Sequence, residues 1–233
     1  MYIFGKNVVN EYINNNEIIK KAYLYKNFSD LDIFDKLKNK GVKIIFKEKY
    51  ELDKLVQGMH QGIVLEVKDY DYADIDEFTK NENSLVVILD HLEDPHNFGA
   101  IIRTCEAAGV DGIIIPKDRS VDVNSTVIKV STGTTENVKI TKVTNLTRTI
   151  EDLKNQGFWI VGTDMQGEAY DKIDYKGKIA IVIGNEGSGM SRVVKEACDF
   201  VATIPMRGKT NSLNASVAAG IIIYEAIKCR VDV

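Results

Sequence analysis

A chain of 233 residues, 44% hydrophobic and 27% charged, is ordinary for a globular protein and can bury a core in one large or two small domains. No apolar run approaches the roughly 20 residues of a membrane span and no charged-apolar-small leader opens the chain, so no membrane partner and a cytoplasmic location are expected. The three scattered cysteines (Cys105, Cys198, Cys229) and three histidines (His60, His91, His96) argue against a disulfide framework and a zinc site, and no metal is expected.

The net charge of −4 is unevenly spread. Residues 1–68 carry 12 Lys+Arg against 9 Asp+Glu, and residues 69–84 carry 1 against 6. Residues 85–233 carry 17 against 19. The amino-terminal part is therefore mildly basic, although charge alone fits solvated lysines on a small domain just as well.

In chain order, residues 6–16 read as a short helix fading into an asparagine run. Strand Lys21–Tyr25, helix Leu31–Lys40 ended by Gly41, strand Val42–Phe46, helix Glu48–Val56 and strand Gly62–Val67 follow. Together these make an αβαβαβ unit over residues 1–68. His60-Gln61-Gly62 reads as a turn before its last strand, and spacing alone assigns His60 no role. Residues 69–84 are acidic and aperiodic, a linker with at most one loose helical turn.

From residue 85 strands and helices alternate to residue 233. The expected strands are Leu85–Leu89, Gly112–Ile115, Val138–Thr141, Phe158–Gly162, Ile179–Ile183 and Phe200–Ile204. The expected helices are Ala100–Ala108 closed by Gly109, one short helix within 118–135, Leu146–Gln156, and Ala215–Ile227. Such alternation implies a mostly parallel α/β sheet with helices on both faces, and ligands then sit beyond the carboxyl ends of the strands.

Three stretches carry the chemistry. In the first, Asp94 to Thr104 (DPHNFGAIIRT), Arg103 stands in a run of small and apolar residues. An arginine is rarely buried unpaired, so near a helix start it is expected to meet a phosphate or carboxylate. The second, Gly184 to Gly189 (GNEGSG), lacks the Lys-Ser/Thr of a P-loop and the spacing of a dinucleotide fingerprint. Its glycines offer bare backbone to a flat ligand such as adenine, and Glu186 tolerates a cationic ligand better than a polyphosphate. The third runs through IPMRG (Ile204–Gly208) and SLNAS (Ser212–Ser216). Helix capping accounts for one of its Ser and Asn residues, not for all. The helix after it is apolar all round, which suits a core or a subunit interface.

The motifs N-x-G-A-I-I-R-T, I-G-N-E-G-x-G-M and I-P-M-x-G-x-x-x-S-L-N-x-S-V-A, in this order over residues 85–228, resemble the three motifs of the SpoU/TrmH branch of SPOUT RNA 2′-O-methyltransferases. The amino-terminal unit resembles the ribosomal-protein-L30e-like substrate-binding domain of the RlmB type, including the His60-Gln61-Gly62 turn. The resemblance implies a trefoil-knotted parallel-sheet domain, where the residues alone would suggest a Rossmann-like sheet because knots are so rare.

It also implies S-adenosylmethionine as methyl donor, with Gly184, Ile204 and Leu213 on the adenosine and Thr163 and Met206 beside it. Asn97, Arg103, Glu186, Ser212 and Asn214 match the polar set around the transferred methyl and the ribose. Arg103 is read as binding a phosphate and stabilising an alkoxide, since a guanidinium with a pKa above about 12 is a poor base. The implied substrate is structured RNA, with a guanosine of 23S rRNA first, and tRNA or a resistance-conferring 23S methylation as the alternative. A non-catalytic RNA-binding protein is the reading from another class, and a phosphate-binding Rossmann enzyme a third. The apolar terminal helix is expected to form a homodimer seam.

Overall fold

The structure is a computed structural model and describes residues 1–14, 18–56 and 58–230. The chain divides into two compact units, Met1–Asp71 with Val123–Thr135, and Tyr72–Asp122 with Glu136 onwards. Residues 123–135, expected in the second domain, belong to the first unit.

In the first unit a four-stranded sheet runs in the order β1-β4-β2-β3, from β1 (Tyr2–Phe4), β2 (Ile19–Tyr25), β3 (Ile44–Lys47) and β4 (Ile63–Val67). β4 lies antiparallel to β1 and β2, whereas β3 is parallel to β2. β1 was not anticipated, because three residues give no readable alternation. The helices are α1 (Lys6–Asn14), α2 (Leu31–Asn39) and α3 (Lys49–Leu55). Residues 15–16 of the expected first helix lie outside the described residues. Asp30 caps α2 by accepting the Ile33 N–H, and the Glu51 carboxylate turns back to the Glu48 N–H at 2.9 Å. Phe4, Tyr23, Leu52, Val56 and Val64 form a core cluster. Helix α5 (Ser125–Val130), started by Asn124, packs on β1, with the Lys129 ammonium over the Phe4 ring.

The second unit is a six-stranded, wholly parallel sheet in the order β10-β8-β9-β5-β6-β7. Its strands are β5 (Leu85–Leu89), β6 (Gly112–Pro116), β7 (Ile140–Val143), β8 (Trp159–Ala169), β9 (Ile179–Ile183) and β10 (Phe200–Thr203). The three central strands β5, β6 and β9 are buried at every residue. This explains why their sequences are unbroken apolar runs rather than alternating ones. The helices are α4 (Pro95–Ala108), α6 (Leu146–Asn155), α7 (Arg192–Ala197) and α8 (Ala215–Arg230). Alternate residues of the sheet pack with α6 and α7 in one cluster, while α8 lies against α4 and β9. No helix of the described residues is long and apolar enough to cross a membrane.

Four further departures from the sequence reading follow. Helix α4 begins at Pro95, five residues earlier than expected, because Asp94 accepts the His96 N–H and Pro95 fits the first turn. Helix α7 was not foreseen. Strand β8 continues beyond Gly162. Its pairing with β10 jumps from Gly162 to Glu168 between Val201 and Ala202, so residues 163–167 are pushed out of the ladder. Finally, the acidic stretch forms the one helical turn expected of it, a 3₁₀ turn over Ile75–Glu77 started by Asp74, but Phe78, 2% exposed, enters the core of the second unit, which was not foreseen. A Cβ on Gly112 would fall 2.4 Å from the Phe78 ring, so that strand position accepts only glycine.

Candidate active site at the carboxyl ends of the parallel strands

Three loops leave the carboxyl ends of strands in one parallel sheet: 90–94 after β5, 184–191 after its neighbour β9, and 204–214 after the edge strand β10. Three of the expected polar residues meet there. The Asn97 amide donates to Glu186 Oε1 at 2.8 Å, and the Asn214 amide donates to Asn97 Oδ1 at 2.9 Å. Asn97 is 7% exposed and belongs to the first turn of α4. The Asn214 Oδ1 accepts the Ser216 N–H at 2.9 Å and the Ser216 hydroxyl at 2.6 Å. Asn214 thus caps α8 and joins the cluster at once, because its oxygen serves the helix and its nitrogen serves Asn97.

The GNEG turn is held by its own atoms. Asn185 and Gly189 exchange backbone hydrogen bonds at 3.0 and 2.9 Å. The Asn185 side chain donates to the His91 carbonyl at 2.7 Å and accepts the Gly187 N–H at 2.9 Å. A Cβ on Gly184 would lie 2.4 Å from both the Gly189 carbonyl carbon and the Met190 nitrogen, so the turn itself requires that glycine. Beneath it Asp90, 1% exposed, accepts the Ser191 N–H and the His91 Nδ1–H, each at 2.6 Å. Asp90, Asn185 and Ser191 were not singled out from sequence. A carboxylate directly after the all-apolar strand β5 was the available signal. A cleft of about 230 Å³ opens beside this turn, lined in part by His91, Arg119, Asn185 and Ser188.

The remaining expected residues are placed as follows. The Thr163 hydroxyl donates to the Val182 carbonyl at 2.9 Å, tying β8 to β9. Ile204 and Met206 are half-buried, Ser212 is exposed, and Leu213 is 38% exposed. Apolar side chains left open beside bare loop backbone and a carboxylate suit a ligand that is flat, partly apolar and cationic. Arg103 is exposed and makes no hydrogen bond to the Asn97 cluster. Because α4 starts at Pro95, Arg103 falls in its third turn and not near its start. Arg103, Lys117, Arg119, Arg207 and Lys209 are all exposed, and among the described residues none is in an ion pair. Burial pushes the Cys105 thiol up and raises that of Cys198 to about 11, so neither is a thiolate at neutral pH.

Comparison with known proteins puts this geometry in context. Residues 84–224 match the model of the SpoU rRNA methylase family. Residues 2–73 match a model described as RNA 2′-O ribose methyltransferase substrate binding. A Bacillus subtilis protein named for the TrmH family of tRNA/rRNA methyltransferases, YacO, is 43% identical over 98% of this chain and 96% of its own. An rRNA methyltransferase from Sinorhizobium meliloti, solved with AdoMet bound, superposes with a TM-score of 0.80 at 25% identity, covering 99% of this chain and 88% of its own. The A. aeolicus TrmH/SpoU tRNA modifying enzyme, 36% identical, covers 66% of this chain and 79% of its own with a TM-score of 0.58. The chain belongs to the SpoU methylase family of RNA methyltransferases.

Proposed function

We propose that the protein transfers a methyl group from S-adenosylmethionine to a ribose 2′-hydroxyl of structured RNA, most specifically a guanosine of 23S rRNA. The observation that carries this reading is the chain of hydrogen bonds from Asn214 through Asn97 to Glu186, which gathers residues of all three motifs at the strand ends. The donor supplies a methyl already activated by its sulfonium. Gly184, Ile204 and Leu213 hold its adenosine, with Thr163 and Met206 alongside, in loops that we take to be tied into the trefoil knot implied by the family.

The rest of the chemistry falls to the chain. A ribose hydroxyl is a weak nucleophile until its proton leaves or its developing charge is met. Arg103, exposed and in no ion pair among the described residues, binds the adjoining phosphate and stabilises the alkoxide. Glu186 and Asn214, fixed through Asn97, orient the sulfonium side, and Ser212 completes the polar set. Attack of an alkoxide on a sulfonium neutralises charge, so a site poor in water favours the transition state.

The choice of ribosomal RNA draws on the likeness to an rRNA methyltransferase along 99% of this chain, and that of a 23S guanosine on the resemblance of the two-part layout. A tRNA substrate is the second reading, favoured by the 36% identity to a tRNA modifying enzyme over a smaller part. Mapping 2′-O-methylation across ribosomal and transfer RNA with and without the gene decides between them. A lost 23S methyl supports the first, a lost tRNA methyl the second, and no lost methyl returns the protein to RNA binding without catalysis.

The homodimer is also a proposal. Helix α8 buries Ala215, Ala219, Ile222, Ile223 and Ala226 but leaves Val217 and Tyr224 50% and 52% exposed. With half-buried Ile221 these sit at i, i+4 and i+7, a second apolar stripe that a partner copy covers.

A further inference from the structure

The first unit contains a cleft of about 240 Å³ remote in sequence from the three motifs, and the residues that build it have no role in the chemistry above. Its floor is the His60-Gln61-Gly62 turn. His60 is 5% exposed; its Nδ1 accepts the Gly62 N–H at 2.9 Å and its Nε2 faces Asp53 at 3.1 Å. A buried side chain therefore locks the turn from beneath. On top, Gln61 adopts a left-handed backbone with φ 53, a conformation that glycine or asparagine would hold with less strain. Its side-chain oxygen accepts the Lys6 N–H at 2.7 Å. The amide nitrogen at the rim of the cleft has no partner among the described residues. Non-glycine residues held in this conformation cluster at binding sites.

The walls are aromatic and cationic. Phe28 lies over the turn, 3.3 Å from where a Cβ on Gly62 would stand, and Tyr25 is next to it. The Lys6 ammonium is 5.5 Å from the Phe28 ring centroid and is paired with Asp30 at 3.1 Å. Lys49, across the cleft, is exposed and in no ion pair among the described residues.

An aromatic face, a side-chain amide and an unpaired cation around a space for one ring system match a single unstacked nucleotide. Proteins read single-stranded RNA by stacking splayed bases on aromatic rings and hydrogen-bonding their edges, with lysines on the phosphates. A duplex would present only backbone and grooves, which this narrow cleft does not admit. We propose that the cleft formed by Phe28, Tyr25, Gln61, Lys6 and Lys49 binds one unstacked nucleotide of the RNA substrate. The proposal rests on the reading of the protein as an RNA methyltransferase and makes this turn a substrate-selecting element. Phe28 stacks on the base, the Gln61 amide donates to an acceptor on its edge, and Lys49 holds the phosphate.

The test uses the full-length protein and a 12-nucleotide single-stranded RNA bearing a central 2-aminopurine, beside the same strand in a duplex. Wild type should quench the probe and prefer the single strand. Phe28→Leu and Lys49→Ala should each weaken binding about tenfold or more, and Lys49→Ala should also flatten the slope of log K against log salt by about 0.7. Gln61→Gly should weaken binding while raising the melting temperature, a combination a structural role would not give. Wild-type affinity in Lys49→Ala and Gln61→Gly, or equal binding of the duplex, overturns the proposal even if Phe28→Leu fails to fold. Methyl transfer by wild type to total cellular RNA, ribosomal and transfer RNA included, followed in parallel, separates the two ideas. Transfer with an unchanged KM in all variants sinks the cleft alone, and no transfer to any RNA sinks the enzymatic reading.

Discussion

Asn97 and Glu186 stand 89 residues apart in the chain and meet at 2.8 Å, the amide of one donating to the carboxylate of the other. The same Asn97 turns its oxygen to Asn214. It therefore presents a donor to one partner and an acceptor to the other, which a carboxylate in its place could not do. Asn97→Asp would set a second carboxylate against Glu186. Such a variant should stay folded yet lose about 100-fold or more in kcat, the scale for one preorganised polar contact. Tritiated methyl incorporation into ribosomal RNA measures it, with a thermal melt to show the fold intact. Activity within threefold of wild type would remove the cluster from the mechanism.

Gly184→Ala should act through the turn's own backbone. The new Cβ would press on Gly189 and Met190 at 2.4 Å, and neither neighbour is a flexible side-chain tip. A destabilisation of about 1–3 kcal/mol is expected from such overpacking. Binding of S-adenosylmethionine, read by calorimetry, should fall with it. Unchanged affinity would mean that the turn does not form the adenosine site.

The open stripe of α8 makes the oligomeric state testable. Tyr224→Asp or Val217→Asp should convert a dimer into a monomer on size exclusion with light scattering. Loss of a central interface tyrosine costs about 2 kcal/mol or more. A monomeric wild type would leave those side chains exposed without a partner.

In the first unit, Tyr23 donates its phenol to Glu66 Oε2 at 2.8 Å, and Lys21 reaches the same oxygen at 3.1 Å. The hydrogen bond to Glu66, helped by burial, raises the Tyr23 pKa from 10.0 to about 12. Bonds from Tyr23 and then Lys21 lower that of Glu66 below its ordinary 4.5. The raised phenol stabilises the fold fully below pH 10, and that contribution is lost as pH rises toward about 12. The lowered carboxyl stabilises above pH 4.5 and loses its effect as pH falls through its folded value. Tyr23→Phe should abolish the alkaline part of this dependence. The absorbance titration of wild type minus variant should centre near pH 12, and a midpoint near 10 would refute the pairing.

Much of the second unit was legible because its central strands are unbroken apolar runs closed by polar turns. β5 and β9 fall on their expected residues. The meeting of Asn97, Glu186 and Asn214 was legible for a different reason, since each stands in one of the three motifs. The misses are informative. Asp94 and Pro95 signalled an early start for α4, but the apolar pattern drew the boundary to Ala100. Phe78 looked like one aromatic in an acidic stretch, and only Gly112, missing a side chain on a distant strand, accounts for its burial. The excursion at 163–167 depends on how β10 pairs, which no local pattern contains.

The segment 123–135 has a consequence for modularity. The first compact unit is built from two separate stretches of chain, with α5 packing on β1. A hybrid that takes residues 1–71 from a relative replaces β1 but leaves its helix behind, and a single cut at residue 71 parts β1 from the helix that packs on it. Grafting the first unit between family members thus requires both stretches to travel together.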